Sequence, residues 1–400
     1  MTRRLAPGEH TLLRQRLESQ WVLPVGGEER ERPGGDGASR VAAVAGKLLA
    51  LQAQDFGQSL WALGVRAPGT TRDDVSRAYD EGLIVRSWPM RGTLHITTAD
   101  DLRWMLGVTA TRTVASIAAR YRALGLGDDD FRRARAAAAH ELAGGGRASR
   151  EEFTALLERA GVDTAGQRGV HLIGRLAHEG LICWGPTHGT QQALVLLDEW
   201  APAGRTLSRE EALGEFVLRY LRGHGPATLK DFCWWSKVTV AEARQGLARV
   251  RDQLGAVTID GVEYLRALDA GTPAAPSASG RRGLGAQVLP GFDEYLLGYP
   301  SRQPALPEPY ADRIVPGNNG VFLPMLVVDG VVRGTWRRRV TTSSVTVTLD
   351  PFEPLTATAR RALERDFARY GRFLGLPVRI DEAVRIDETA SADEATGAGS

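Results

Sequence analysis

The feature that most restricts how this chain can fold is an internal echo. The stretches "RAYDEGLIVRSWPMRGTLHIT" (77–97) and "RLAHEGLICWGPTHGTQQALVLL" (175–197) share one plan. In each, a helical segment runs into Glu-Gly-Leu-Ile, where glycine supplies the left-handed residue that stops a helix. Two β-rich runs then flank a turn and pair as a hairpin. Capped amphipathic stretches come before both: Thr70-Thr71-Arg72-Asp73-Asp74 starts one helix, and "SREEFTALLERAG" (149–161) opens as a capping box. Helix, helix, hairpin is the winged-helix plan. A less literal third copy comes next, with helices expected in "SREEALGEFVLRYLRGHG" (208–225), "ATLKDFCWWS" (227–236) and "TVAEARQGLARVRDQLG" (239–255), then a hairpin turning at Asp260-Gly261.

Four hundred residues exceed one ordinary core, and the echo divides them. The expected units are 10–125, 126–200 and 201–270, with a Pro/Gly/Ser/Ala linker at 271–286. A C-terminal β-rich segment at 287–380 turns at Asp329-Gly330 and carries a helix from about Leu355 to Phe373. The acidic tail, 381–400, is expected to be disordered. The fold class is α+β, mainly helical.

The formal charge of +2 hides a separation, because six acids against Arg385 give the tail −5 and leave the body at +7. Among its basic residues only Lys47, Lys230 and Lys237 are lysines. Arginine forks suit phosphates and bases, although a GC-rich coding sequence yields the same surplus. No apolar run approaches the roughly 20 residues of a bilayer span and the N-terminus lacks a signal-peptide core, so no membrane role and a cytoplasmic location, on the nucleoid when bound to DNA, are expected. Cys183 and Cys233 form no CxxC and are expected as buried thiols. The histidines include no HxxxH or HExxH pair and no Gly-rich phosphate loop is present, so neither a metal nor a cofactor is expected.

"LLALQAQDFGQSL" (48–60) sets Gln52 and Gln54 in an otherwise apolar stretch. On one continuous helix over 41–54 the two amides would point roughly 200° apart. They converge if the helix ends there, and Asp55-Phe56-Gly57 supplies a break. The expectation is that both amides sit at a helix terminus facing a cleft; the alternative is that they cap orphan carbonyls or decorate the surface.

The ordered series "LLALQAQDFGQSLWALGVR", "GLIVRSWPMRGTLHITTADDLRWML", "HEGLICWG", "ATLKDFCWWS", "VLPGFDEYLLGY" and "NGVFLPMLVVDGVVRGTWRR" resembles the AlkZ-like DNA glycosylases of the YcaQ/AlkZ winged-helix superfamily, from about residue 10 to 375. The resemblance implies three tandem winged helices in a C-shaped, monomeric molecule acting on double-stranded DNA that carries alkylated purines. It also implies monofunctional hydrolysis of the N-glycosidic bond of bulky cationic alkylpurine adducts, N7-alkylguanine type and interstrand crosslinks included, leaving an abasic site. Self-resistance to a DNA-alkylating natural product is a further implied role. Gln52-Ala53-Gln54 matches the family's Gln-aliphatic-Gln signature; a related branch has Asp at the second position.

A purine alkylated at N7 or N3 is already cationic and leaves neutral, so no general acid is needed. What remains is to aim a water at C1′ and tolerate an oxocarbenium-like sugar. A carboxamide oxygen can orient that water without ionising it. Asp55 is the rival, as base or as helix-end partner.

Around the first hairpin, His95 shares a strand face with threonines, and the resemblance implies that it lines the cleft; otherwise it is a satisfied strand histidine. Arg86, Arg91 and Trp88 border the same hairpin and are candidates to grip a backbone. Arg333, Arg337, Arg338 and Arg339 surround Trp336 as a candidate phosphate contact, or as a charged edge strand with one buried indole. Trp234-Trp235 reads as core, and Asp293-Glu294 as a structural turn or cleft wall. Two other functions stay open: a winged-helix transcription regulator without catalysis, which leaves the glutamines without a task, and a protein-binding scaffold.

Overall fold

The computed structural model describes residues 5–23, 34–189, 191–201, 204–268 and 283–382; most of the expected linker and nearly all of the acidic tail lie outside them. Helices α1 (Pro7–Ser19) and α2 (Gly37–Leu48) lead to the glutamine segment. No continuous helix spans 41–54. Leu49 takes φ +66, a left-handed value that interrupts the helix, and its side chain is fully buried. The chain then runs extended as β1 (Leu51–Gln52), so the helix ends ahead of the Asp55-Phe56-Gly57 break expected from sequence. Asp55 caps α3 (Phe56–Gly64), Thr71 caps α4 (Arg72–Asp80), and the first hairpin, β2 (Ile84–Met90) and β3 (Thr93–Thr98), turns at Arg91-Gly92 with φ +57 and +67.

The second echo is built alike. Helices α5 (Ala99–Ala123), α6 (Asp128–Glu141), α7 (Arg150–Arg159) and α8 (Arg168–His178) precede β4 (Ile182–His188), β5 (Gln191–Leu196) and the short α9 (Leu197–Trp200). Gly82 and Gly180, at φ +68 and +73, stop α4 and α8 as the shared Glu-Gly-Leu-Ile requires. The echo did not reveal how its two copies combine: the hairpins join edge to edge, Arg86 opposite Trp184, into one five-stranded sheet ordered β1-β3-β2-β4-β5. Each hairpin covers an edge that the other would leave open.

Capping boxes at Ser208, Thr228 and Thr239 start α10 (Arg209–His224), α11 (Leu229–Ser236) and α12 (Val240–Arg249), and β6 (Leu254–Ile259) with β7 (Val262–Ala267) forms a separate hairpin. Its turn, Asp260-Gly261, has both residues at positive φ.

The C-terminal part holds β8 (Ala286–Leu289), α13 (Glu294–Leu297), α14 (Ala311–Ile314), β9 (Met325–Val328), β10 (Val331–Val340), β11 (Val345–Pro351), α15 (Ala357–Leu374) and β12 (Val378–Glu382). Its sheet runs β12-β11-β10-β9-β8, so the arginine-rich β10 is central and the edge-strand alternative is wrong. Trp336 is fully buried and donates to the Leu289 carbonyl at 2.9 Å. One apolar cluster joins this sheet to α2, α3 and α4: Trp61 packs edge-on against Tyr370, and its indole N–H donates to the Val288 carbonyl at 2.8 Å. That packing brings the 291–299 turn beneath β1. Cys183 is buried as expected, whereas Cys233 is only half-buried; both are free thiols. Among the described residues, no helix is long and apolar enough to cross a membrane, and no group of three or more His, Cys, Asp or Glu is arranged to hold a metal.

Candidate active site

The two glutamines converge on the extended link between α2 and α3: Gln52 lies in β1, and Gln54 lies in the bend just ahead of Asp55, the N-cap of α3. Residues two apart on an extended chain share a face. Leu51 and Ala53 point into the apolar cluster, and Gln52 and Gln54 point the other way. The aliphatic middle residue is thus core, and the amides flanking it meet: Gln52 Nε2 donates to Gln54 Oε1 at 2.5 Å. Gln54 is exposed, while Gln52 is 8% exposed. That bond uses one of the two lone pairs of Gln54 Oε1, so the exposed carboxamide can still accept from a water.

Neighbours hold this short strand on every side. Just past β1, the Ala53 N–H donates to the Leu94 carbonyl of β3 at 2.8 Å. Arg86 Nε donates to the Ala53 carbonyl at 2.8 Å, and its guanidinium lies 5.4 Å from the Phe56 ring centroid. The Gln52 N–H points away from β3 and would be an orphan edge donor; it donates to Glu294 Oε1 at 3.2 Å. Glu294 is 1% exposed, and its Oε2 accepts from Trp235 Nε1 at 2.8 Å and from His224 Nε2 at 3.2 Å. Burial alone would raise its pKa, but His224, through its hydrogen bond, and the nearby Arg91 hold the carboxyl at about 2.

His95 stands opposite Gln52 in the strand register, so the two side chains share a face. Its Nδ1 donates to the Thr93 carbonyl at 2.8 Å, which leaves Nε2 to accept from Arg91 Nη2 at 3.0 Å. The imidazole is fully buried, and burial together with Arg91 pushes it down to about 3, so it is neutral. Asp55 accepts the Gln58 N–H at 3.0 Å as the cap of α3, the helix-end role of the two weighed for it.

A model of the family described as DNA glycosylase AlkZ-like matches residues 45–373. The chain belongs to this AlkZ-like family. It is 26% identical over 365 residues to an interstrand DNA cross-link repair glycosylase of Streptomyces sahachiroi, covering 84% of this chain and 92% of that protein. The solved structure of the Streptomyces sahachiroi DNA glycosylase AlkZ shares its fold, with a TM-score of 0.72, 24% identity, and coverage of 93% of this chain and 98% of that one. This AlkZ-like protein is therefore an enzyme, a hydrolase of N-glycosyl bonds in DNA.

In this AlkZ-like chain the sequence candidates separate into groups. Gln52, Gln54, His95, Arg86 and Arg91 meet around β1 and the first hairpin. Trp88 is half-buried on the far side, where it packs with the core of α6–α8. The β10 arginines do not form one cluster. Alternation puts Arg338 with Trp336, where Nη1 donates to the Tyr370 hydroxyl at 2.7 Å, and turns the exposed Arg337 and Arg339 to the opposite face. Arg333 is half-buried, facing Glu353 and Tyr310. Trp234 is likewise half-buried rather than core, with Arg91 and Lys237 at 5.9 and 5.4 Å from its ring centroid. Sequence reasoning missed His224, Trp235 and Glu294 as supports of the glutamines. The available signal was "GFDEYLLGY", two acids in a run apolar enough to be buried, where each carboxylate needs a partner.

Proposed function

We propose that this DNA glycosylase excises bulky cationic purines of the N7-alkylguanine type, interstrand crosslinks among them, and leaves an abasic site without a covalent enzyme intermediate. The observation that carries the reading is the carboxamide pair Gln52–Gln54 on the extended link between α2 and α3, hydrogen-bonded to each other at 2.5 Å, with the accepting oxygen keeping a second lone pair for a water. Neutral amides suit a leaving group that is already charged: the base departs as a neutral molecule, and the enzyme has only to aim water at C1′ while the phosphates of DNA answer the developing positive charge. An ionisable base is not required of Asp55, which is engaged as a helix cap.

Gln54 is exposed, and an open approach to the sugar suits an adduct too large to be flipped into a snug pocket. The relative's description as a cross-link repair glycosylase supports extending the substrates to crosslinks. The same chemistry would protect a cell that makes its own DNA-alkylating compound. In this reading the three helix–hairpin echoes are tandem winged-helix units that hold double-stranded DNA in the concave side of a C-shaped monomer, in the cytoplasm at the nucleoid.

The test is release of base from duplexes carrying one N7-methylguanine, one bulky N7-guanine adduct or one interstrand crosslink. Wild-type protein should yield abasic sites, and folded Gln52→Ala and Gln54→Ala variants should yield none. Wild-type rates from both variants would remove the amides from the chemistry.

A further inference from the structure

We propose that Glu294 is a positioning residue for base excision: from beneath the strand it fixes the edge N–H of Gln52, and so the aim of the Gln52–Gln54 pair. This deepens the functional reading above and rests on it.

An edge strand two residues long has few constraints of its own. β3 holds it from one side, through bonds such as that between Ala53 and Leu94. On its open side the Gln52 N–H meets a carboxylate, a charge-assisted acceptor stronger than a backbone carbonyl. A buried carboxylate is costly unless it is fully partnered. Glu294 is: with Gln52, Trp235 Nε1 and His224 Nε2 give it three donors, and Gln20 Nε2 donates to its own carbonyl at 3.3 Å. The donors come from β1, α10 and α11, so the acid ties the glutamine strand to two helices far along the chain. At 1% exposure Glu294 touches no substrate. Its effect reaches the reaction only through the direction of Gln52, where a displacement of about 1 Å costs on the order of 100-fold in rate.

The isosteric variant Glu294→Gln is the test. Its amide presents one oxygen and one NH2 to three donors, so either Gln52 or the Trp235–His224 pair faces a donor. Single-turnover release of N7-methylguanine should fall about 100-fold, while affinity for a duplex bearing an uncleavable abasic-site analogue stays at the wild-type value. A fold defect would lower both, so the split between rate and affinity marks positioning. A cooperatively folded Glu294→Gln protein with the wild-type rate overturns the inference while Gln52→Ala and Gln54→Ala stay inactive. Wild-type rates in those two variants would instead remove the reading on which it rests. Should Glu294→Gln fail to fold, Glu294→Asp keeps the negative charge and withdraws the carboxylate from the Gln52 N–H by one methylene. It should release base about tenfold more slowly at unchanged affinity, and an unchanged rate overturns the inference.

Discussion

Arg66 grips Asp293 through two parallel hydrogen bonds of 2.8 Å each, Nη1 to Oδ2 and Nη2 to Oδ1, and neither side chain is exposed at all. The same carboxylate caps α13 by accepting the Tyr295 N–H at 2.9 Å. Arg66 also donates to the carbonyl and side-chain oxygens of Gln20, so its charge is fully used. The pair sets the turn that carries Glu294. Removing one member of a buried pair strands the other charge, and Asp293→Ala should cost about 3–5 kcal/mol. Denaturant unfolding measures this, and a loss under about 1 kcal/mol would mean that the pair does not hold the turn.

Acid should destabilise the protein in two stages. His95 is pushed to about 3 by burial and by Arg91, against 6.5 in the unfolded chain. Between those values the unfolded chain binds a proton that the folded chain does not, so stability is lost as pH falls through that window. Glu294 is held at about 2 against an ordinary 4.5, its partners outweighing burial, so its contribution is present above 4.5 and is lost as pH falls toward 2. His178, lowered by burial, acts in the same sense as His95. The melting temperature should be level above neutrality and fall from about pH 6.5 downward, less steeply in His95→Asn. A melting temperature constant down to pH 5 would contradict the buried neutral imidazole.

Asp55 separates capping from catalysis. Asparagine caps a helix about as well as aspartate, whereas alanine costs about 1 kcal/mol. Asp55→Asn should therefore keep both the melting temperature and the rate of base release, and Asp55→Ala should lose stability while retaining most of the rate. An inactive Asp55→Asn protein would make this carboxylate the water's base.

Arg337 and Arg339 are exposed on one face of β10, while Arg338 is tied to Tyr370 on the other. If the exposed pair meets phosphates, the double alanine variant should flatten the slope of log affinity against log salt by about two. Base release at saturating protein should not change. An unaltered slope would place DNA elsewhere.

Much of the local plan was legible in the sequence because it rests on neighbours in the chain. Caps at Thr71 and Ser149, stops at Gly82 and Gly180, and turns at Asp260-Gly261 and Asp329-Gly330 all depend on residues close to one another in the chain. The segment around the glutamines was misread for the same reason. Propensity favours a helix through Leu49–Ala50, but pairing with β3 and burial of Leu49 outweigh it, and no local rule contains those terms.

What the sequence determined by itself was the repeated helix–hairpin unit and the presence of a Gln-Ala-Gln element, since periodicity and capping are written into short spans. Tertiary structure decided that the two amides share a face, that two hairpins make one sheet, and that Glu294 reaches Gln52 across 242 positions. Those contacts are set by which apolar faces bury against each other, and burial is a property of the assembled chain rather than of any segment of it.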